Sequence, residues 1–195
     1  KRFDPPGFSY SFINPFELDK TNPNYLFLAS GNDGKILRHS GIRSLVLDDT
    51  QQQQSAGWTQ IANINAPVTA MKSTSTAPIY RLYLGTSAGR VFRIDQTNSG
   101  TAQVTEISDF DDYRPGTYVS DIAVNPEDGN EIMVVFSNYN VYSVYHSSDG
   151  GDTWTGVAGN LEDPLPQGAP EAIWGIGNGP SVRCAEILPI FGGGK

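Results

Sequence analysis

The chain has 195 residues, a formal net charge of −8 and one cysteine. Binding to nucleic-acid phosphates draws on clustered Lys and Arg, so this charge balance and the lack of such a cluster in the sequence argue against a nucleic-acid partner. No apolar run reaches the roughly 20 residues of a membrane span. Cys184 cannot form an intrachain disulfide by itself, and we expect it to be a small buried residue.

The predicted elements are short strands, because glycine (21) and proline (13) are frequent and nine Tyr and nine Phe accompany them. Three segments match one another as strand, tight turn and strand, a pattern typical of a β-hairpin. They are residues 25–38, 80–93 and 132–145. Aligning Ser30, Thr86 and Ser137 gives spacings of 56 and 51 residues, which indicate a repeated unit.

Further strands are predicted on both sides of each hairpin. Inner strands are predicted at 9–14, 68–72 and 119–125, and outer strands at 58–63, 103–107 and 153–157. Two inner strands end in Asn-Pro, where proline lacks the N–H that a sheet needs. The units therefore span about 8–64, 66–108 and 117–158, and a fourth begins near 181 with an inner strand at 182–189.

One turn in the third unit has a distinctive composition, Ser147-x-Asp149-x-Gly151-x-Thr153-Trp154. Short polar side chains can bind backbone N–H groups ahead of them, and glycine supplies the positive φ of a tight bend. The turn resembles the Asp-box (BNR) motif of β-propeller proteins such as sialidases, xyloglucan-active glycosidases and sortilin-like receptors. The resemblance implies a structural hairpin between the third and fourth strands of a propeller blade.

We therefore predict an all-β fold, a β-propeller of four-stranded antiparallel blades with about three full blades and the first strand of a fourth. A propeller closes with four or more blades. Blade faces should thus be covered by the remainder of the propeller or by another chain.

The resemblance also implies which end of the blades binds ligands. It places there the turns inside the middle hairpins and the links between blades, and so Asn32, Asp33, Ser87, Asn138 and Tyr139, with residues 109–114 and 161–180. From this end we select the candidate binding residues Asp33, Asp111, Asp112, Arg114, Tyr139 and Trp174. Trp174 could stack on a sugar or a partner side chain, or fill the gap between two blades.

The carboxylates of Asp109, Asp111 and Asp112 leave two chemistries open. They could bind Ca²⁺, although a solvated acidic turn also explains them, so no metal site is assigned and calcium is the one cofactor considered. With Glu162, Asp163 and Glu171 they could also supply the carboxyl pair of a glycoside hydrolase. Sequence gives no distance between them, so no catalytic residue is assigned. Arg93, in a segment similar to the sialidase F/Y-R-I-P motif without its proline, is expected to be an ordinary strand residue.

Two functions of different class follow. The first is a non-enzymatic scaffold for protein or glycan binding, part of a larger secreted or cell-surface protein. An acidic, cysteine-poor chain rich in Asn, Thr, Ser and Gly is compatible with a bacterial protein of that location. The alternative is a fragment of a xyloglucanase-like or sialidase-like glycoside hydrolase, with catalytic carboxylates partly on other blades. A third hypothesis is an assembly factor for a membrane complex.

Overall fold

The computed structural model describes residues 5, 7–45, 56–110, 116–139, 141–161 and 180–189. The strands in these ranges are β1 (Phe16–Leu18), β2 (Leu26–Ala29), β3 (Lys35–His39), β4 (Trp58–Asn63), β5 (Val68–Ser73), β6 (Leu82–Thr86), β7 (Val91–Asp95), β8 (Gln103–Glu106), β9 (Val119–Val124), β10 (Ile132–Phe136), β11 (Val144–Ser147) and β12 (Thr155–Gly156). The helical elements are two 3-10 turns, Ile42–Ser44 and Gly159–Leu161.

The strands form three four-stranded sheets, and each sheet follows the order of the chain, β1 to β4, β5 to β8 and β9 to β12. Neighbouring strands run antiparallel throughout. The predicted all-β fold with three four-stranded blades is therefore confirmed. We call the sheets the first, second and third blade.

The second blade shows why these residues form hairpins. Leu82 to Thr86 are all buried, and β7 alternates buried Val91, Phe92 and Ile94 with the half-buried Arg93 and Asp95. The turn between the strands needs a left-handed residue, and Gly89 supplies it with a φ of 78°. The Thr86 hydroxyl accepts the N–H of Arg90 at 3.0 Å, which closes the turn.

The inner strands of successive blades lie against each other. At the boundary between the first two blades, the Glu17 carboxylate accepts the backbone N–H of Ser73 at 3.0 Å. At the next boundary, the Thr69 hydroxyl donates to the carbonyl of Val119 at 2.6 Å. The blades are thus arranged side by side with β1, β5 and β9 innermost, as in a propeller.

Each blade boundary encloses an apolar core, because alternate side chains of a strand point to opposite faces of its sheet. Between the first and second blades, Phe27 and Ile36 pack with Leu82, Leu84 and other side chains. Between the second and third, the core includes Tyr83, Val91, Ile122, Val134 and Trp154. The second blade therefore contributes both of its faces to cores.

The predicted inner strand at 9–14 is wrong, because β1 begins only after Asn14-Pro15. The backbone before it makes other contacts: the carbonyl of Ser9 accepts the N–H of Gly31 at 2.7 Å. The Asn14 side chain donates to the carbonyl of Ala29 at 2.7 Å and holds the entry to the strand. The third hairpin also differs from its prediction, since β11 begins at Val144 rather than 141.

Residues 180–189 form no strand, although an inner strand was predicted at 182–189. They pack against the third blade: the Ser120 hydroxyl donates to the carbonyl of Val182 at 2.6 Å, and Val182 N–H donates to the Phe136 carbonyl at 3.3 Å. The Thr69 hydroxyl donates to the Val119 carbonyl in the same way. Val182 therefore contacts the third blade as Val119 contacts the second. Cys184 is exposed rather than buried, because this segment contacts a blade on one side.

Candidate functional site

The antiparallel order puts the loops of each blade at two opposite ends. One end carries the β2–β3, β6–β7 and β10–β11 turns and the links between blades, and we call it the link face. The other end carries the turns between first and second strands and between third and fourth strands, and we call it the turn face. The predicted binding residues within the described ranges, Asp33 and Tyr139, lie on the link face, as do Asn32, Ser87 and Asn138.

Asp33 is engaged within its own turn. Its carboxylate lies 2.8 Å from the Lys35 ammonium, and this hydrogen bond lowers the pKa of Asp33. The Lys35 ammonium in turn lies 5.5 Å from the centre of the Phe8 ring. Asp33 therefore presents a carboxylate that is already paired, which suits a turn-forming role as well as contact with a ligand.

Two exposed tyrosines lie on the link face of the third blade, and we call them the tyrosine rim. Tyr139 is 72% exposed and Tyr118 is 43% exposed. Asn138 connects them, because its side-chain oxygen accepts the Tyr118 N–H at 2.5 Å. The backbone N–H of Ser137 donates to the Tyr118 carbonyl at 3.2 Å, so both tyrosines rest on a fixed backbone.

Tyr118 was not selected from the sequence. A signal was present, since an aromatic residue directly before an inner strand sits at the end of a blade-to-blade link. Its partnership with Tyr139 depends on a contact across 20 residues of chain, which composition does not show.

The other predicted binding residues, Asp111, Asp112, Arg114 and Trp174, lie outside the described residues. Asp109 is described and is exposed. Within the described ranges, no group of three or more His, Cys, Asp and Glu side chains could hold a metal ion.

The Ser147–Trp154 turn is built on two side chains that bind backbone ahead of them. The Ser147 hydroxyl donates to Asp149 at 2.7 Å and accepts the Gly151 N–H at 2.9 Å. Asp149 accepts the Thr153 hydroxyl at 2.6 Å and the Thr153 N–H at 2.9 Å. These hydrogen bonds from Thr153, followed by that from Ser147, lower the pKa of Asp149 to about 2.

The end of this turn reaches back to the second blade. Trp154 is 9% exposed and donates its indole N–H to the carbonyl of Ile107 at 2.7 Å. Its ring lies 4.7 Å from that of Phe110. Gly151, with a φ of 91°, leaves room for the Ile107 side chain. The turn therefore joins two blades, and it stands between the third and fourth strands of its sheet.

An arginine on the turn face crosses each blade boundary. Arg38 in β3 donates to the carbonyls of Thr97 and Ser99 in the next blade at 2.5 and 3.0 Å. Arg93 in β7 donates to the Gly150 carbonyl at 2.8 Å and to Asp152 at 2.9 Å. Arg93 is a strand residue, as expected, and alternates with the buried Phe92 and Ile94; its guanidinium in addition joins two blades.

A second arginine supports this contact. Asp95 pairs with Arg81 at 2.5 Å and with Arg93 at 3.2 Å. Burial lowers the pKa of Arg81, but the interactions with Asp95 and Tyr83 together outweigh burial, so the net pKa is raised. Arg81 also donates to the side chain of Asn130 in the third blade at 2.8 Å. The turn face between these blades is thus a charged network rather than an open site.

No helix in the described ranges is both long and apolar enough to cross a membrane. No protein-family model matches the chain, and no curated protein matches its sequence.

The fold is similar to those of two GH74 proteins. One is the GH74 enzyme of Niastella koreensis, with a TM-score of 0.50 and 17% identity over 72% of this chain and 21% of that one. The other is the GH74 xyloglucanase of Xanthomonas campestris, with a TM-score of 0.50 and 13% identity over 70% of this chain and 19% of that one. Hydrazine synthase of Kuenenia stuttgartiensis follows, with a TM-score of 0.47 and 15% identity over 75% and 34% of the two chains.

The chain thus spans about a fifth of the length of the two GH74 proteins. At these identities the similarity concerns the fold alone: the described part of the chain is a section of a β-propeller.

Proposed function

We propose that this chain is a non-enzymatic propeller section of a larger secreted or cell-surface protein and binds a glycan on the link face of its third blade. The observation that carries the proposal is the tyrosine rim. Two exposed aromatic rings on a fixed backbone offer apolar faces for sugar rings and hydroxyls for hydrogen bonds. Loops on a rigid scaffold are where binding residues concentrate.

In the sequence, Tyr118 of the rim belongs to the same link as three of the predicted binding residues. Tyr118 follows residues 111–115, which include Asp111, Asp112 and Arg114. A link that combines carboxylates, a guanidinium and an aromatic ring in its sequence suits an oligosaccharide, which has apolar ring faces and many hydroxyls. The Ser147–Trp154 turn, in this proposal an Asp-box of the sortilin-like and glycosidase-like type, holds the opposite end of the blade in place.

The test is glycan binding by the purified chain, measured by calorimetry against a panel that includes xyloglucan oligosaccharides. Tyr139→Ala should weaken binding about fivefold or more, because stacking of a sugar on an aromatic ring contributes on the order of 1 kcal/mol or more. Ile79→Ala is the control, since Ile79 is 52% exposed but lies on the turn face. Equal affinity of Tyr139→Ala and wild type contradicts the proposed site.

The second candidate is a section of a propeller glycoside hydrolase, and the similarity to two GH74 proteins favours it. Its catalytic carboxylates would then include Asp111 or Asp112, with the second group on another blade. Hydrolysis of xyloglucan by the full-length protein, abolished by Asp111→Asn or Asp112→Asn, would support the enzyme and displace the scaffold. Binding without hydrolysis would support the scaffold.

A further inference from the structure

On the side of the first blade where Leu37 of β3 is buried, strands β1 and β2 present an exposed apolar face, called here the first-blade flank. It consists of Phe16, Leu18, Leu26 and Leu28. Phe16 pairs with Leu28 and Leu18 pairs with Leu26, so the four side chains point to one side of the sheet. Phe16 is 66% exposed, Leu18 is 51% exposed, and the two β2 leucines are half-buried.

The equivalent positions are apolar and buried in the other two blades. Phe16 and Leu28 correspond by register to Met71 and Leu84 in the second blade and to Ile122 and Val134 in the third. Met71 is 7% exposed, and Leu84, Ile122 and Val134 are fully buried. In both cases the covering surface is the preceding blade. The first-blade flank therefore has the composition of an inter-blade core.

The arginine contacts at the two blade boundaries follow one geometric rule. The Arg38 guanidinium binds the carbonyl of Thr97. Thr97 lies three residues after Ile94, and Ile94 is the β7 residue that pairs with the first residue of β6. The Arg93 guanidinium binds the carbonyl of Gly150. Gly150 lies three residues after Ser147, the β11 residue that pairs with the first residue of β10. Each acceptor thus lies at the same point of a third-to-fourth-strand turn.

In the first blade this point is Ile42. His39 is paired with Leu26 at the first position of β2, and Ile42 lies three residues after it. The carbonyl of Ile42 accepts one weak backbone hydrogen bond, from Leu45 at 3.4 Å, and a carbonyl oxygen can accept two. A depression of about 330 Å³ opens beside it, lined by Gly41, Ser44 and neighbouring residues of the same turn.

We propose that the first-blade flank and this depression form one interaction surface for a further propeller blade, whose third strand carries an arginine that donates to the Ile42 carbonyl. The surface repeats the two inter-blade interfaces already present in the chain, in apolar composition, register and acceptor position. The partner is therefore a four-stranded blade of the same larger protein, with an apolar face and a guanidinium.

The experiment supplies such a blade from the chain itself. A second copy of residues 66–112, which contains the second blade and its Arg93, is fused ahead of residue 7 of the full chain. By register Phe16 is equivalent to Ile122, so residue 13 corresponds to Val119, and the fusion keeps the twelve residues that separate β8 from that position. The docking readout is the rate at which a thiol reagent labels Phe16→Cys, in a Cys184→Ser background so that no other cysteine reacts.

In the fusion, the labelling rate of Phe16→Cys should fall to about one tenth of its value in the unfused chain or lower, because the added blade covers a position that is 66% exposed in the unfused chain. Ile79→Cys, 52% exposed on the turn face, is the matched control and should be labelled at the same rate in both proteins. Arg93→Ala in the added copy alone should lower the unfolding midpoint of the fusion and speed the labelling of Phe16→Cys.

Equal labelling of Phe16→Cys in the fused and unfused chains overturns the proposed surface. An added blade that trypsin removes while the rest stays folded overturns it as well. If Phe16→Cys is labelled just as slowly after Arg93→Ala in the added copy, the guanidinium contact is refuted. Glycan binding at the tyrosine rim is independent of all these outcomes, so failure here leaves the proposed function standing.

Discussion

Asp149 stabilises its turn as a charged acceptor, and its contribution therefore depends on pH. We expect Asp149→Asn to lower the free energy of unfolding at pH 6 by about 1 kcal/mol, the typical net value of an exposed hydrogen-bonded group. Its pKa is about 2 in the folded protein against 3.8 ordinarily, so the charge stabilises the fold above pH 4. This contribution is lost as the pH falls through about 2.

Urea unfolding of both proteins at pH 6, 4 and 2 checks this sign. The difference between wild type and Asp149→Asn should be largest at pH 6 and shrink toward pH 2. A difference that stays constant over the range would show that the charge of Asp149 contributes nothing. Asp128→Asn, an exposed carboxylate in the β9–β10 turn, serves as a comparison for general charge effects.

Arg93 and Asp152 should differ in their effect on stability although they contact each other. The Arg93 side chain is 16% exposed and binds the Gly150 carbonyl, whereas that of Asp152 is 64% exposed. We expect Arg93→Met to cost about 2 to 3 kcal/mol, because it also leaves Asp95 with one cation fewer. Asp152→Asn should cost less than about 1 kcal/mol.

Denaturant unfolding of the two single variants and the double variant measures both effects and their coupling. Equal costs for the two single variants would mean that the exposed ion pair, not the carbonyl contact, joins the blades. Arg93→Lys separates charge from geometry, since an ammonium cannot reach both acceptors with one planar group.

At the scale of elements, Gly85 in β6 allows the second and third blades to approach. A Cβ at this position would lie 2.7 Å from the Cβ of Val119, the first residue of the next inner strand. Gly85→Ala should therefore cost about 1 to 3 kcal/mol by forcing β6 and β9 apart. Gly100→Ala is the control, because a Cβ there meets nothing within 4 Å.

Thermal unfolding of both variants tests the effect of Gly85. If Gly85→Ala and Gly100→Ala shift the unfolding midpoint by the same amount, close approach at Gly85 is not what limits this boundary. A larger loss for Gly85→Ala supports tight packing of β6 against β9.

The hairpins were predictable because their signals are local. In β6 and β7, β-branched and aromatic residues flank a glycine turn, and each of these features lies within 14 residues. The first inner strand was mispredicted because Ser9 to Asn14 has a strand-like composition but uses its polar groups to hold the β2–β3 turn and the end of β2. Composition does not distinguish these two uses of the same groups.

The functional surfaces were less predictable because they join residues far apart in the chain. The contact between Arg38 and Thr97 spans 59 residues, and that between Arg93 and Asp152 spans the same number. Each arginine taken alone occupies an ordinary position in a strand. The regular repeat of the two contacts emerges only once the sheets are in register.

Segment 180–189 is held to the third blade by hydrogen bonds that resemble an inter-blade contact, and its removal should expose that blade. A chain ending at residue 179 loses the cover that Val182 and Ala185 give to Val135 and Val144. We expect a lower unfolding midpoint and increased binding of an apolar dye. Ser120→Ala, which removes only the hydroxyl that binds the Val182 carbonyl, should give a smaller shift in the same direction.

Calorimetry and dye fluorescence on the three proteins measure these changes. An unchanged midpoint after truncation would show that the segment does not stabilise the third blade. In that case the similarity between the Ser120 and Thr69 contacts would have no energetic meaning.

At the scale of the molecule, the second blade connects the whole described structure. Its two faces belong to two separate cores, while the first and third blades each contribute one face to a core between blades. The arginine contacts run in one direction, from each blade to the next. At the equivalent position the third blade has His146, which pairs with Glu131 of its own blade at 3.0 Å.

This arrangement predicts unequal costs for the same substitution at equivalent positions. Leu84 is fully buried between the first and second blades, whereas Leu28, its equivalent, is half-buried on the first-blade flank. Leu84→Ala should cost about 2 to 5 kcal/mol, the range for buried leucines, and Leu28→Ala only about 1 kcal/mol. The loss at Leu84 should also destabilise the third blade, because both cores share the second sheet.

In a background with Trp58 and Trp174 changed to Phe, guanidinium unfolding followed by tryptophan fluorescence tests both statements, since Trp154 then reports on the boundary between the second and third blades. Equal costs for the two variants would mean that the first-blade flank is as well covered as an inter-blade core. A Leu84→Ala variant in which the Trp154 transition keeps its midpoint would mean that the blades unfold independently. Destabilisation of that transition from a site in the other core would show that the three blades unfold as one cooperative unit.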